Sequence, residues 1–296
     1  MPRNIDGENL VEELFGLDDD FPIPEELAPY ISLEKLKQNR QNYPEWQREL
    51  DGKEREQVKM IMERLLRLPL VHCSRNDDLE TVTSHRQSSE QAVQANTYPL
   101  DQSLGLDNYA FLTWGIGDWS QYGQHLYCFD SNILFEPGTI VTPSDVAFAA
   151  RRKSKTPFYQ LDDELKDRVQ TRYFDQMLTG RDWFYVIAIR ILEELESGEK
   201  IIPIDYSVYG EIKVFSGVPQ VPIEVFHGRR EIEYGDSQSG KLGYYDKYLY
   251  PNGFAFFNIH HHMWQVEEGQ KVNSVDPLPS LEAWNSFKHS WDEVMQ

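Results

Sequence analysis

Apolar residues first recur at helical spacing between positions 56 and 68. Val58, Ile61, Met62, Leu65 and Leu68 share one helix face, and Pro69 ends the run. Leu70 and Val71 then open a short apolar strand that leads into His72. Beyond it the pattern shifts to short runs bounded by Gly, Pro, Asp or Asn. YAFLTWG at 109–115, HLYCFD at 125–130 and GTIVTP at 138–143 predict strands. Helical spacing returns after position 160. One helix is predicted from about Asp162, with Leu165, Val169, Phe174 and Met177 inward, and a second from near Asp182 to Gly198, a residue suited to a helix stop. KIIPI at 200–204, EIKVFS at 211–216, VPIEVFH at 221–227 and FAFFNIHHHMW at 254–264 read as further strands. Ser280 caps a last helix in which Leu281, Trp284, Phe287, Trp291 and Val294 recur, its tryptophans reading as core. No internal repeat or low-complexity tract interrupts the series. The fold class is α+β: a helical front, a strand-rich core interrupted by helices, and a terminal docking helix.

Composition narrows this picture in three ways. The chain has 296 residues, 40% of them hydrophobic, which supports a sizeable core in one large or two modest domains. Aromatics are abundant, with 7 Trp, 16 Tyr and 15 Phe, as suits a β-rich core or stacking pockets for planar ligands. The net charge of −20 opposes broad non-specific binding to nucleic acid or anionic membranes, though not a small local basic groove. Residues 1–60 hold 15 acids and 8 bases, so the imbalance is front-loaded in a segment punctuated by Pro22, Pro24 and Pro29. That segment reads as a solvated leader, with a partner-binding arm as the alternative. Cys73 and Cys128 make no disulfide framework, which points to a reducing cytoplasm. The amino terminus lacks a signal-type apolar run, and no stretch approaches the ~18 apolar residues of a membrane helix.

Two distant positions carry the candidate chemistry. VHCSRNDDLETV at 71–82 places His72 at a strand end, before a polar turn in which Asp77 or Asp78 would cap a short helix. YGEIKVFSGVP at 209–219 places Glu211 at the head of a strand, after the aromatic loop PIDYSVYG. The plain alternative is a satisfied buried histidine and a surface acid. Taken together, His72-Cys73-Ser74, the central aromatic strand YAFLTWG, and Glu211 running through Val218-Pro219 to Ile223 resemble the mono-ADP-ribosyltransferases. They are most similar to the DarT-type branch that modifies DNA. The resemblance spans roughly residues 70–227.

The resemblance implies an ADP-ribosyltransferase-like split β-sheet core over 69–265. A partly helical acidic extension at 1–68 would precede it, and a docking helix at 266–296 would follow. It implies NAD as substrate, with no metal expected. Cleaving the nicotinamide–ribose bond passes through an oxocarbenium-like ribosyl cation, as glycoside cleavage does. By carry-over, Glu211 would stabilise that cation, His72 would hold the adenosine ribose, and Ser74 would support the nicotinamide carboxamide or ribose. Tyr109 or Trp114 would stack on nicotinamide. The loop 203–210 would face the acceptor. Relatives that modify arginine usually carry Glu or Gln two residues before the catalytic Glu. Here that place is Tyr209, which leaves room for a nucleobase stacked on Tyr206 or Tyr209. The acceptor is a nucleic acid by resemblance, or a protein by charge. The resemblance further implies a bacterial toxin or anti-phage effector and a neutralising antitoxin, for which the acidic front is a docking arm.

Three other patterns were weighed. Glu211-Ile212-Lys213 has the Glu-x-Lys form of Mg²⁺-dependent PD-(D/E)xK nucleases, but Asp205, the upstream acid, lies in the same loop rather than on a separate strand. Lys213 therefore reads as a surface lysine. His260 and His262 would point together on a strand and begin a zinc site only if His227 or Cys128 joined them. Arg151, Arg152, Lys153 and Lys155 would meet phosphates, or form a solvated loop. A non-catalytic interaction module on the same fold is the competing class.

Overall fold

The computed structural model describes residues 21–25, 27–75, 82–84, 101–102, 104–114, 123–142, 163, 174–197, 211–236, 238–244 and 247. Most of the helix predicted from Asp162, the short helix after Asp77, the strands at 200–204 and 254–264, the basic cluster at 151–155 and the terminal helix lie outside them.

Seven strands form one antiparallel sheet among the described residues. They are β1 (Leu70–Ser74), β2 (Tyr109–Trp114), β3 (His125–Phe129), β4 (Ile140–Thr142), β5 (Leu178–Thr179), β6 (Glu211–Phe215) and β7 (Glu224–His227). Their spatial order is β5-β4-β6-β2-β1-β3-β7. Four helices accompany them: α1 (Leu33–Asn39), α2 (Gly52–Leu65), α3 (Gly180–Ser197) and α4 (Gly228–Tyr234). The α+β class holds.

The period-two alternation divides the sheet's side chains between two faces. Leu70, Ala110, Leu112, Tyr127, Val141, Ile212 and Val214 lie on one face. They share a core with α3 and with the predicted stripe of α2, Val58, Ile61, Met62 and Leu65. On the other face, Tyr109 and Ile140 pack with Leu27, Ile31, Leu36, Leu106, Phe174 and Met177. Further along that face, Val71, Leu126, Cys128 and Phe226 meet Ile232 and Tyr244.

The described part of the amino-terminal segment is therefore no free arm. Leu27 and Leu36 belong to one cluster, Tyr43 and α2 to another. Polar bonds add to this attachment. The Asn39 amide donates to the carbonyls of Phe174 (2.8 Å) and Met177 (2.9 Å), and the Tyr43 hydroxyl to that of Gln176 (2.6 Å). Arg40 Nε donates to Asp182 Oδ2 at 2.9 Å, and its Nη2 lies 2.9 Å from Oδ1 in an ion pair, at the start of α3. Midway along α3, the buried Arg190 pairs with Glu45.

Two elements differ from their predicted form. Phe174 and Met177 do not lie on a continuous helix. Phe174–Gln176 is a 3-10 turn, and Leu178–Thr179 becomes β5 by pairing with Ile140 and Val141. That pairing is long-range and overrides local propensity. β7 begins at Glu224 rather than Val221, because Pro222 has no N–H to give a ladder.

At the start of α2, the Glu54 carboxylate accepts from the Asp51 N–H (2.7 Å) and Asp51 accepts from the Glu54 N–H (2.9 Å). This is a reciprocal capping box. That backbone bond, and then Arg48 beside it, hold the Glu54 carboxyl below its ordinary value of 4.5. The lowered folded value means the stabilisation is present above the ordinary carboxylate range and lost as pH falls through it. Glu54→Gln should thus lower the urea midpoint at pH 7, with the gap from wild type closing as the solution is acidified past that range. A larger effect is expected at the buried pair. Glu45→Ala leaves Arg190 uncompensated and should cost about 3–5 kcal/mol by urea denaturation, whereas Glu45→Leu with Arg190→Met should recover most of it.

Candidate active site at the β1–β2 seam

β1 and β2 pair only at Leu70–Trp114 and Val71–Thr113. Past Val71 the register stops, although β1 continues to pair with β3 through Ser74. His72 stands at this parting. Its Nδ1 lies 2.9 Å from the carbonyl oxygen of Phe111 on β2. A carbonyl only accepts, so Nδ1 carries a hydrogen, and Nε2 is the acceptor nitrogen of the neutral ring.

Glu211 opens β6, the strand on the far side of β2, as the sequence predicts. Leu112 pairs with Ile212, and continuing that register one step sets Glu211 beside Thr113, which pairs with Val71. Glu211 and His72 are thus two strands apart on adjacent rows, about 10 Å between backbones. Strict alternation would place His72 on the face opposite Glu211. Its Nδ1 reaches the β2 backbone at the seam, where pairing has ended. The two residues stand on neighbouring rows of the sheet, with β2 between them.

Glu211 pairs with Lys213. Its Nζ lies 2.6 Å from Glu211 Oε2, and it donates to Thr142 Oγ1 (2.8 Å) and to the Glu211 carbonyl (3.2 Å). The ammonium also lies 5.5 Å from the centre of the Phe111 ring. The Lys213 side chain is 0% exposed and that of Glu211 16%. The expectation of a surface lysine is therefore overturned. β6 is a central strand with both faces covered, and it carries Lys213 inward beside Phe111 and Ile140. Sequence offered a signal for this: EIKVF embeds the lysine between Ile212 and Val214 in a near-continuous apolar run, the mark of a strand buried on both faces.

The remaining candidates are distributed as follows. Ser74 ends β1, half-buried, and its carbonyl accepts from the Gln124 N–H at 3.0 Å. Trp114 ends β2 opposite Leu70. Tyr109 begins β2 at the end remote from the seam. It is 1% exposed and packs edge-on against Phe215, ring centres 5.7 Å apart. Burial also pushes its hydroxyl pKa well up. A ring enclosed in the core offers no face to nicotinamide, so Tyr109 leaves the stacking role. Tyr206, Tyr209, Asp205 and His260–His262 lie outside the described residues. Cys128 and His227 do not converge: Cys128 is buried opposite Glu224, and His227 faces His125.

The turn after β6 fixes where the Val-Pro motif goes. Ser216 (φ 62°) and Gly217 (φ 103°) both take the left-handed region. A Cβ on Gly217 would press on the carbonyl of Val82, to which Val218 donates at 2.8 Å. The turn therefore binds the end of β6 to residues 82–84, downstream of β1.

No protein-family model, curated protein or solved structure matches the chain.

Removing the carboxylate should expose the cost of the buried ammonium. Glu211→Ala is expected to lose about 3–5 kcal/mol in urea denaturation, and Glu211→Gln clearly less, because the amide carbonyl still accepts from Lys213.

Proposed function

We propose that the chain is a mono-ADP-ribosyltransferase that moves ADP-ribose from NAD to a macromolecular acceptor. The observation that carries the reading is a carboxylate at the head of a central strand, held by a buried ammonium, next to a seam occupied by His72. The reading takes the short β1–β2 pairing, two register pairs within a single antiparallel sheet, as the seam of the split sheet that the resemblance implies.

In this reading Nε2 of His72 accepts a hydrogen bond from the adenosine ribose, and Ser74 supports the nicotinamide half of NAD. The C1′–N bond of the nicotinamide riboside breaks, its electron pair staying with nicotinamide, which leaves neutral. The ribosyl cation is stabilised by Glu211 through the 2′-hydroxyl. The acceptor then forms the new bond at C1′ and gives up a proton. Lys213 anchors the Glu211 carboxylate through Oε2.

A nucleic-acid acceptor is favoured by the DarT-type motifs and a protein acceptor by the charge of −20. The biological reading is a cytoplasmic bacterial toxin or anti-phage effector with a neutralising antitoxin. Residues 27–50 are an unsuitable arm for that partner, since Leu27, Leu36 and Tyr43 are core. Any arm would be drawn from residues 1–20.

The nuclease reading weakens on one detail. An ammonium has three hydrogens, and those of Lys213 are directed at Thr142, the Glu211 carboxylate and the Glu211 carbonyl. None is left to steady an attacking water.

The test is labelled NAD incubated with the protein and RNA, DNA or a lysate. Label transfer with nicotinamide release is expected, and Glu211→Gln should lower it roughly 10²- to 10³-fold while remaining folded. Absence of both transfer and release in the wild type would refute the enzyme. Mg²⁺-dependent cutting abolished by Lys213→Ala would put the nuclease in its place.

A further inference from the structure

The last pair of the β3–β7 ladder is His125 and His227. One step outward, the Gly228 N–H donates to the Gln124 carbonyl at 2.6 Å. Positions 124 and 228 thus form a hydrogen-bonded pair, and 125 and 227 the intervening non-hydrogen-bonded one, where side chains stand closest. The two imidazoles cross at 66° with centroids 5.2 Å apart, and their Nδ1 atoms are 3.0 Å apart. His125 is half-buried and His227 exposed, so solvent reaches the pair. The Glu231 carboxylate holds the His227 N–H at 2.8 Å and keeps the end of β7 from splaying.

Two neutral rings share one hydrogen between these nitrogens, one Nδ1 donating and the other accepting. If the donor ring moves its hydrogen to Nε2, two lone pairs converge on one point. Two nitrogens bound at right angles, each about 2.1 Å from a metal, stand about 3.0 Å apart, whereas the tetrahedral angle preferred by zinc needs about 3.4 Å. The observed spacing fits the former.

We propose that His125 and His227 chelate a divalent transition metal of right-angled preference, Cu²⁺ or Ni²⁺, through their Nδ1 atoms. Among the described residues no group of three or more His, Cys, Asp or Glu gathers for a metal. Water therefore fills the other positions, and the site is open rather than enclosed. Binding replaces one hydrogen bond by two coordinate bonds and clamps strand β7 to β3. The site involves neither Glu211 nor His72 and stands apart from the transferase reading.

The test uses the full chain with His260, His261 and His262 replaced by alanine, which silences that triplet. Calorimetric titration with NiCl₂ should give one ion per chain. His125→Ala or His227→Ala should weaken it about a hundredfold, by loss of the second ligand's effective concentration. In parallel, the Cu²⁺ spin-resonance spectrum should show two equatorial nitrogens in the parent and fewer in each variant. His227→Gln gives a second reading if an alanine variant proves unfolded by circular dichroism. Absence of binding in the parent, or binding and spectra unchanged by the substitutions, would overturn the proposal.

Discussion

A lysine ammonium with no exposed surface is the constraint around which the sheet's centre is organised. Removing such an ion from water costs several kcal/mol even after the protein relaxes, so its hydrogens must all be met. Lys213 meets them with Thr142 from β4 and two oxygens of Glu211. That demand determines where the Glu211 carboxylate stands, and it links β4 to β6 by side chains as well as by the ladder. Phe111, from β2, places its ring beside the same charge. Three neighbouring strands are thus tied at one point by one residue, and the carboxylate proposed for chemistry is one of the tethers.

A second tie acts on the opposite face of the sheet. α3 is buried along most of its length and carries two charges inside, Asp182 and Arg190. Both are answered from residues 40–45, by Arg40 and Glu45. The sequence of this front segment looks like a detachable acidic leader because its acids outnumber its bases. Its role is set instead by a few apolar and paired residues that close the core. Net charge speaks to long-range partners, and it is silent about which residues of a segment are needed inside.

Much of the fold was legible locally. The stripe of α2, the extent of α3 and five of the seven strands follow from periodicity and from Gly and Pro punctuation; β1 was visible as a short apolar run into His72. β5 was not, because two residues make a strand only when β4 is there to receive them. The site was legible in part. Glu211 heading a strand and His72 near a strand end can be read from neighbours in sequence. The depth of Lys213, the withdrawal of Tyr109 into the core and the meeting of His125 with His227 cannot, since each depends on a strand that lies far off in the chain. The EIKVF run held a clue to Lys213 that alternation alone obscures, because a strand covered on both faces has no polar side on which to expect a charge.

The same lysine bears on which chemistry Glu211 can do. An ammonium 2.6 Å from a carboxylate fixes its rotamer, and it also offsets part of the negative field that a ribosyl cation would feel. For metal-dependent hydrolysis this is a poor arrangement. The carboxylate would have to exchange its lysine for Mg²⁺, and the lysine, with its hydrogens already directed to protein oxygens, would have to reach a water from a site with no exposed surface. For stabilising a cation through a hydroxyl, the arrangement is workable. One oxygen is anchored by Lys213, so in the proposed reaction the carboxylate would need little reorganisation at the moment of bond breaking. Preorganisation of this kind is where electrostatic catalysis gains most. The loss of field from the neighbouring ammonium is then the cost of holding the carboxylate proposed for chemistry on a strand that both faces of the protein bury.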